Sequence, residues 1–377
     1  MSQLKNKKWL FSSDCKGRFS EVMHLDAMGR QTIIFNSLKS AFNVLERRTG
    51  NYSGRPRFIM AQEILNEGLG VILMDYGELW RRLRRAAHDA VSRTTVQNYH
   101  PTQTKEATVL VSSLLEDPQI DIICKMEEEA LMRAAQRYDI FLRLFDRVRA
   151  DIATGGERPS FSASLLRNHD RYHLSEPEMT FLSGQMYIAG FETTSTTLMW
   201  WTLAMVAFPQ VQRRAQAELD AVVGRSRLPT FEDAPHLPYV RAVVREVLRW
   251  RPPVPFGVPH AATEDDWYEG MFIPKGATCL ANIWQCNHDR AIFGEDADDF
   301  RPERHLDEGG ELLPGPIETN QEGHVSLERE GVVPDTDTFI DTEFLCDHPT
   351  PYDCRIRPRF PEVVSILSEE RERFKGD

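Results

Sequence analysis

Residues 189–194 read Ala-Gly-Phe-Glu-Thr-Thr and lie at the centre of an apolar stretch, residues 179–208, in which Glu192 is the single charged residue. As one helix, this stretch would extend about 45 Å at about 1.5 Å per residue. A helix of that length can span a bilayer, so a transmembrane helix is one interpretation. A buried core helix, whose hydroxyl groups bond back to the preceding turn, is a second.

The residue types at the centre favour a third interpretation, a helix that faces a cofactor. A carboxylate in the middle of a membrane span would be costly in lipid. Gly190 has no side chain, so a flat molecule can lie against the backbone there. Thr193 can bond to the carbonyl of Ala189 one turn back and open the helix locally. Glu192 beside it can relay protons.

Two further motifs follow at regular spacing. Residues 246–249 read Glu-Val-Leu-Arg and begin 54 positions after Glu192, on a predicted amphipathic helix. Glu246 and Arg249 are three apart and therefore neighbours on the helix surface, where an exposed ion pair is the simplest interpretation. Residues 300–304, Phe-Arg-Pro-Glu-Arg, begin 54 positions after Glu246 and offer Arg304 as a third member of a network.

The order and spacing of these three motifs resembles the cytochrome P-450 family of haem-thiolate monooxygenases, in a fungal-like form. The resemblance implies a mainly α fold with small β elements, here incomplete. It implies that Glu192 and Thr193 are catalytic and that Ala189 and Gly190 lie against haem. It also implies a structural network beneath the haem, formed by Glu246, Arg249 and Arg304.

The same resemblance suggests how haem would be held. Trp80 and Arg84 lie on a predicted helix at 78–91 and match the family's contacts to the haem carboxylates. His260 sits where a later basic contact is expected. An arginine fork suits a carboxylate, and the indole N–H of tryptophan is a hydrogen-bond donor. A solvated basic helix face with one core tryptophan is the alternative interpretation.

The cysteine that ligates the iron in this family has no counterpart in the expected loop. None of the six cysteines lies in a glycine-rich loop after residues 300–304, and the chain instead runs from Gly-His-Val-Ser at 323–326 into Leu-Glu-Arg-Glu. Cys346 or Cys354 could reach iron only by rearrangement. We expect one domain over residues 1–377, a best-preserved core at 165–326, and gaps near 118–146 and after 326.

Composition limits the other functions. The net charge of −12, from 57 acidic and 45 basic residues, makes nucleic acid a poor partner. The cysteines show no zinc spacing, so no separate metal site is expected. The apolar stretch at residues 9–11 is too short for a transmembrane anchor. We therefore expect an intracellular protein, although members of the family are often found at the endoplasmic reticulum membrane.

A β-hairpin is predicted at 21–35.

Three functions remain open from the sequence. The first is a monooxygenase that inserts one oxygen atom into a small hydrophobic organic molecule, of the kind met in secondary metabolism, with NADPH electrons delivered by a partner reductase. The second is a catalytically inactive remnant of the family that lacks thiolate-ligated haem. The third is a helical membrane or interaction protein.

Overall fold

The computed structural model describes residues 21–27, 29–116, 137–156, 159–314, 326–328, 339–340, 346, 348–349 and 354–374. The predicted gaps near 118–146 and after 326 lie largely outside these residues. The described α-helices are α1 (Leu38–Ala41), α2 (Thr49–Tyr52), α3 (Glu78–Ala90), α4 (Arg93–Val96), α5 (His100–Glu116), α6 (Arg137–Ala153), α7 (Phe161–Arg167), α8 (His169–Tyr172), α9 (Glu176–Ala207), α10 (Pro209–Val222), α11 (Pro238–Trp250), α12 (Ile283–Asn287), α13 (Arg290–Phe293) and α14 (Val363–Arg373).

The strands are short. They are β1 (Val22–Ala27), β2 (Arg30–Phe35), β3 (His260–Ala261), β4 (Asp266–Tyr268), β5 (Met271–Ile273), β6 (Thr278–Ala281), β7 (Ser326–Glu328), β8 (Phe339–Ile340), β9 (His348–Pro349) and β10 (Arg355–Arg357). Strands β1 and β2 form the hairpin predicted at 21–35. β2 pairs in parallel with β6, and β6 pairs antiparallel with β3. The resulting sheet has the order β1-β2-β6-β3 and carries His260 on its edge strand.

Helix α9 is the longest element, and its ends are fixed by local sequence. The carboxylate of Glu178 accepts a hydrogen bond from the backbone N–H of Ser175 at 2.7 Å, which caps the N-terminus. Pro209 begins the next helix directly after Phe208. No helix in the described part of the chain, α9 included, is long and apolar enough to cross a membrane.

Both ends of α9 are buried in separate hydrophobic clusters. At its start, Met179 and Leu182 pack with Leu83 of α3 and with side chains of α6 and α7. At its end, residues 200–206 pack with α11 and Phe300. The helix is therefore held at its two ends, and residues 187, 189 and 190 between them are exposed.

A buried ionic network joins α11 to the chain that follows it. The Glu246 side chain is fully buried and that of Arg249 is 4% exposed. Arg249 donates its Nε–H and one Nη2–H to the two oxygens of Glu246, each at 2.8 Å. Its remaining N–H groups meet the carbonyls of Asn287, Ala297 and Asp299 at 2.8, 2.6 and 2.8 Å. All five donors of the guanidinium are thus satisfied.

Arg304 and His305 complete this network from a 3₁₀ turn. Arg304 donates its Nε–H to Glu246 at 3.1 Å and its terminal N–H groups to the carbonyls of Phe293 and Asp296 at 2.6 and 2.8 Å. The Nε2 of His305, which the sequence analysis did not assign, lies 2.9 Å from the other Glu246 oxygen. The structure therefore brings together Glu246, Arg249 and Arg304, as the motif spacing predicts.

The network keeps the Glu246 carboxylate charged. Burial alone would raise the pKa of Glu246, but hydrogen bonds from Arg249 and His305 outweigh it and lower that pKa to about 2. The charge is buried together with its partners, so removing it would leave the two arginine side chains buried without their counter-charge.

Gly184→Ala tests the packing at the start of α9. A methyl group at Gly184 would overlap the ring of Phe141, which is 7% exposed on α6. We expect the free energy of unfolding to fall by about 1–3 kcal/mol, as is typical of overpacking. Gly190→Ala is the matched control, because a methyl group there meets no atom within 4 Å. It should leave stability unchanged or raise it by about 0.5–1 kcal/mol in urea denaturation.

Glu246→Gln tests the network. Two buried cations would lose their counter-charge, and we expect a loss of about 3–5 kcal/mol in the free energy of unfolding at pH 7. Glu303→Gln is the matched control, because the Glu303 side chain is 38% exposed and pairs with Arg214. An equal cost for the two variants would contradict a structural role for Glu246.

Acid should reduce the advantage of the wild type over Glu246→Gln. The pKa of Glu246 is lowered from 4.5 to about 2 in the folded chain. Its stabilisation is therefore present above about pH 4.5 and is lost as the pH falls towards 2. We expect the difference in unfolding free energy between the two proteins to shrink by about 2 kcal/mol between pH 7 and pH 3. A difference that does not change with pH would contradict the lowered pKa.

Candidate functional site

The centre of α9 is open although both ends are buried. Tyr187 is 60% exposed, and Ala189 and Gly190 are also exposed. A Cβ atom built on Gly190 would meet no other atom within 4 Å. Bare backbone beside open space, in the middle of the longest helix, can receive a flat molecule at van der Waals distance.

The hydroxyl and carboxyl groups of this centre differ in how they are held. Thr193 donates its Oγ1–H to the carbonyl of Ala189 at 2.7 Å. Ser195 and Thr197 bond back to the preceding turn in the same way. The helix nevertheless stays α-helical throughout, so the predicted local opening at Thr193 is wrong. The bond fits within regular helical geometry because it uses only the spare lone pair of the carbonyl.

Glu192 is half-buried beside Thr193. Within the described part of the chain it makes no hydrogen bond or ion pair, so no fixed partner holds its carboxyl group. Proton transfer needs a group that can take up and release a proton without breaking a stable contact. A catalytic role for Glu192 stays a prediction.

The three residues predicted to hold haem lie on separate elements. Trp80 is half-buried on α3, with its ring centre 5.1 Å from that of Tyr76. Arg84 is exposed on the same helix and pairs with no described group. His260 is half-buried on β3, where its Nδ1 lies 2.7 Å from the carbonyl of Tyr52. No contact among the described residues joins the two α3 side chains directly to His260.

Arg55 connects these elements, and the sequence analysis did not identify it. Its backbone N–H donates to Asp75, just before α3, at 2.8 Å. Its side chain donates to the carbonyl of Pro259, just before His260, at 2.7 Å. Burial first, and then the charge of Arg55, lower the pKa of His260. An arginine followed by proline in a loop gives no periodic signal, so only the fold reveals this position.

A dianionic flat cofactor such as haem fits part of this site. The open backbone at Gly190 can accept its plane, and Arg55, Arg84 and the indole N–H of Trp80 are donors of the kind that bind carboxylates. The Nδ1–H of His260 already donates to the carbonyl of Tyr52, so its Nε2 can donate to a carboxylate only when the ring is protonated.

None of the described cysteines lies in a glycine-rich loop of the kind that carries the iron ligand in this family. Cys279 is fully buried on β6, and burial raises the pKa of its thiol to about 12. Cys286 is buried on α12, and Cys346 is buried near β9. Cys354 is partly buried against the hydrophobic cluster that contains residues 200–206 of α9. Cys15 and Cys124 lie outside the described residues.

No group of three or more His, Cys, Asp and Glu side chains in the described ranges could hold a separate metal ion.

Comparisons with known proteins bear on the whole chain. The family model described as cytochrome P450 matches residues 1–126 and 117–324. A cytochrome P450 monooxygenase of Armillaria gallica is 36% identical over 467 aligned residues, which cover 98% of this chain and 89% of the relative. Cytochrome P450 monooxygenase 58 of Postia placenta is 32% identical over 97% of this chain and 88% of its own length.

The alignment with the Armillaria relative also shows that this chain is shorter internally. Its 467 aligned positions exceed the 377 residues of this chain by 90, so at least 90 positions have no residue here. The two matches to the family model meet at 117–126, next to the gap predicted near 118–146. The exact positions of the gaps remain a prediction.

Solved structures agree on the fold. A zebra fish cytochrome P450, solved with abiraterone, superposes with a TM-score of 0.77 at 24% identity, covering 94% of this chain and 100% of that chain. That likeness shows a mainly α fold with small sheets, as the resemblance implied. The family match over residues 1–324, the fungal relatives and the fold together show that this chain belongs to the cytochrome P450 family, a family of oxidoreductases.

Proposed function

We propose that the open centre of α9 is the haem-facing side of a monooxygenase site, whose reaction inserts one oxygen atom into a small hydrophobic organic molecule. The observation that carries the proposal is the exposed backbone at Gly190, beside the Thr193–Ala189 hydrogen bond, on a helix buried at both ends. The relatives named as monooxygenases support it. A partner reductase supplied with NADPH and an intracellular location, at the endoplasmic reticulum membrane in many members, belong to the same proposal.

Four residues at the centre of α9 each have a defined part in this proposal. Haem, when bound, supplies the oxygen chemistry. Gly190 leaves space for the plane of the cofactor, and Ala189 borders that space. Thr193 keeps its hydroxyl oriented through the Ala189 carbonyl, with its own lone pairs free to accept a hydrogen bond. Glu192 holds or releases a proton at its carboxyl group.

The other haem contacts are basic or neutral donors. Arg84 and Arg55 offer guanidinium groups to carboxylates, Trp80 offers its indole N–H, and His260 offers an N–H at Nε2 in its protonated form. The Glu246–Arg249–Arg304 network has a structural part only, because its side chains are buried and saturated with protein partners.

A second candidate is a family member that keeps this scaffold without the monooxygenase reaction. The sequence favours it, because no cysteine lies in a glycine-rich loop after residues 300–304. The family's iron relies on a cysteine thiolate to promote cleavage of the oxygen–oxygen bond. A chain that binds haem without a thiolate would not promote this cleavage of the oxygen–oxygen bond.

Haem binding can be tested with the full-length chain and added haem. We expect a Soret band that co-elutes with the protein in gel filtration. Gly190→Phe should weaken haem retention at least tenfold, because a ring would fill the space beside the backbone. Gly156→Ala is a comparison substitution at an exposed glycine outside α9, where a methyl group meets only ordinary van der Waals contacts. Retention that is equal in the wild type and Gly190→Phe would contradict a haem-facing α9.

The reduced, carbon monoxide-bound spectrum separates the two candidates. A strongly red-shifted Soret band would show a thiolate on the iron and support the active monooxygenase. A band typical of histidine ligation would favour the inactive family member.

A further inference from the structure

We propose that a cavity at the C-terminal end of α9 is a second ligand site, separate from the open centre of that helix. The ligand class that it fits is a small, neutral, apolar molecule with one hydrogen-bond acceptor, such as a cyclic ketone. This inference goes beyond the proposed function and does not rest on it, because none of the residues that line the cavity is assigned to haem.

The cavity has a volume of about 100 Å³ and lies between four helices and the C-terminal segment. The helices are α5, α9, α10 and α11, and the segment runs from Arg357 into α14. On α9 the lining residues are Trp201 and Met205. They follow Gly190 by roughly 16 to 23 Å along the helix, at about 1.5 Å per residue. The cavity is therefore a different place from the one proposed for haem.

The walls of the cavity are mostly apolar. They include Leu219 of α10, Val243 of α11, and Val363 and Leu367, which are four residues apart and so share one face of α14. An apolar cavity of about 150 Å³ can hold benzene, so about 100 Å³ suits one small ring. Water is a poor occupant of such a space, because a buried water needs about two to four polar partners.

The wall that α14 supplies is anchored at both of its ends. Before the helix, Arg359 donates from Nη1 to the carbonyl of Gln216 at 3.1 Å and from Nη2 to the carboxylate of Asp220. After the helix, Nζ of Lys105 on α5 donates to the carbonyl of Phe374 at 3.0 Å. These contacts tie the C-terminal segment to α10 on one side and to α5 on the other, which fixes the width of the cavity.

One polar group on the wall has no acceptor. Gln216 lines the cavity from α10, and its Nε2 is buried without a hydrogen-bond partner among the described residues. A buried N–H donor that bonds to nothing costs free energy, and an acceptor atom on a bound molecule would remove that cost. The Gln216 amide therefore favours a ligand that carries one acceptor over a hydrocarbon of the same shape.

The charged side chains around the cavity already have counter-charges. Arg227 donates two hydrogen bonds to the carboxylate of Asp233, each at 2.7 Å. Arg359 is paired with Asp220. A ligand carboxylate would have to compete with these pairs, so a neutral ligand fits better. Arg227 and Arg357 are exposed residues of the lining, and they mark where the cavity reaches the surface.

The test compares two probes of one shape on the full-length chain. Cyclohexanone carries a carbonyl acceptor, and methylenecyclohexane has a CH2 group in place of that oxygen. Binding is followed by NMR titration of ¹³C-labelled methionine methyl groups. Met205 is 2% exposed and lines the cavity, whereas Met186 is half-buried next to the open centre of α9. Met205→Leu and Met186→Leu assign the two signals.

Two variants examine the amide. Gln216→Leu removes the donor at similar volume. Gln210→Leu is the matched control, because it makes the same change at an exposed position of α10 that does not line the cavity.

We expect both probes to shift the Met205 signal of the wild type in a saturable way. Gln216→Leu should change the ratio of the two dissociation constants about tenfold in favour of methylenecyclohexane, because the ketone loses its hydrogen bond and the hydrocarbon no longer buries an unpaired donor. Gln210→Leu should leave that ratio as it is in the wild type. The ratio cancels the different hydration of the two probes, since each is compared with itself across the variants.

Three results would overturn the inference. The first is a Met205 signal that neither probe moves, including the case in which only Met186 responds. The second is a ratio that is the same in Gln216→Leu and the wild type, and the third is an equal change in Gln210→Leu. Should Gln216→Leu fail to fold, Gln216→Met, which also lacks the donor, carries the same comparison.

Discussion

The hydrogen-bond network around the buried carboxylate of Glu246 is the interaction on which the rest of the fold depends. The carboxylate receives hydrogen bonds from two arginines, one histidine and the backbone N–H of Arg301. Each arginine in turn binds carbonyls of the loop between α12 and the 3₁₀ turn. A loop of this kind has few apolar residues to bury, so its course is set by these carbonyl contacts. The network therefore replaces a hydrophobic core for this part of the chain.

Helix α9 connects the helix that carries Glu246 to the proposed site. Its C-terminal end packs on α11, the helix that carries Glu246, and its N-terminal end packs on α3, the helix that carries Trp80 and Arg84. Because α9 is rigid between two anchors, the exposed centre around Gly190 can remain open without loss of stability elsewhere. A site built from bare backbone and hydroxyl groups needs this support, since those groups contribute little packing of their own.

Much of this arrangement follows from sequence, and the exceptions have a common cause. The spacing of residues 189–194, 246–249 and 300–304 indicated the long helix α9 and the three members of the network, because each signal is carried by a short local motif. Arg55 and His305 gave no such signal. Their partners lie 204 and 59 residues away, and a contact of that range depends on the folded topology.

The location of the network explains how a member of this family could keep its fold and yet lose the ligand of its iron. Every hydrogen bond of Glu246, Arg249 and Arg304 described above has its partner between residues 246 and 305. The family's iron ligand is expected later in the chain, in a loop for which this sequence has no counterpart. Loss of that loop would remove the thiolate without removing one donor or acceptor from the network. The hydrogen bonds of the network can therefore form whether or not a sulfur ligand is present, so the proposed active and inactive forms would share this part of the fold.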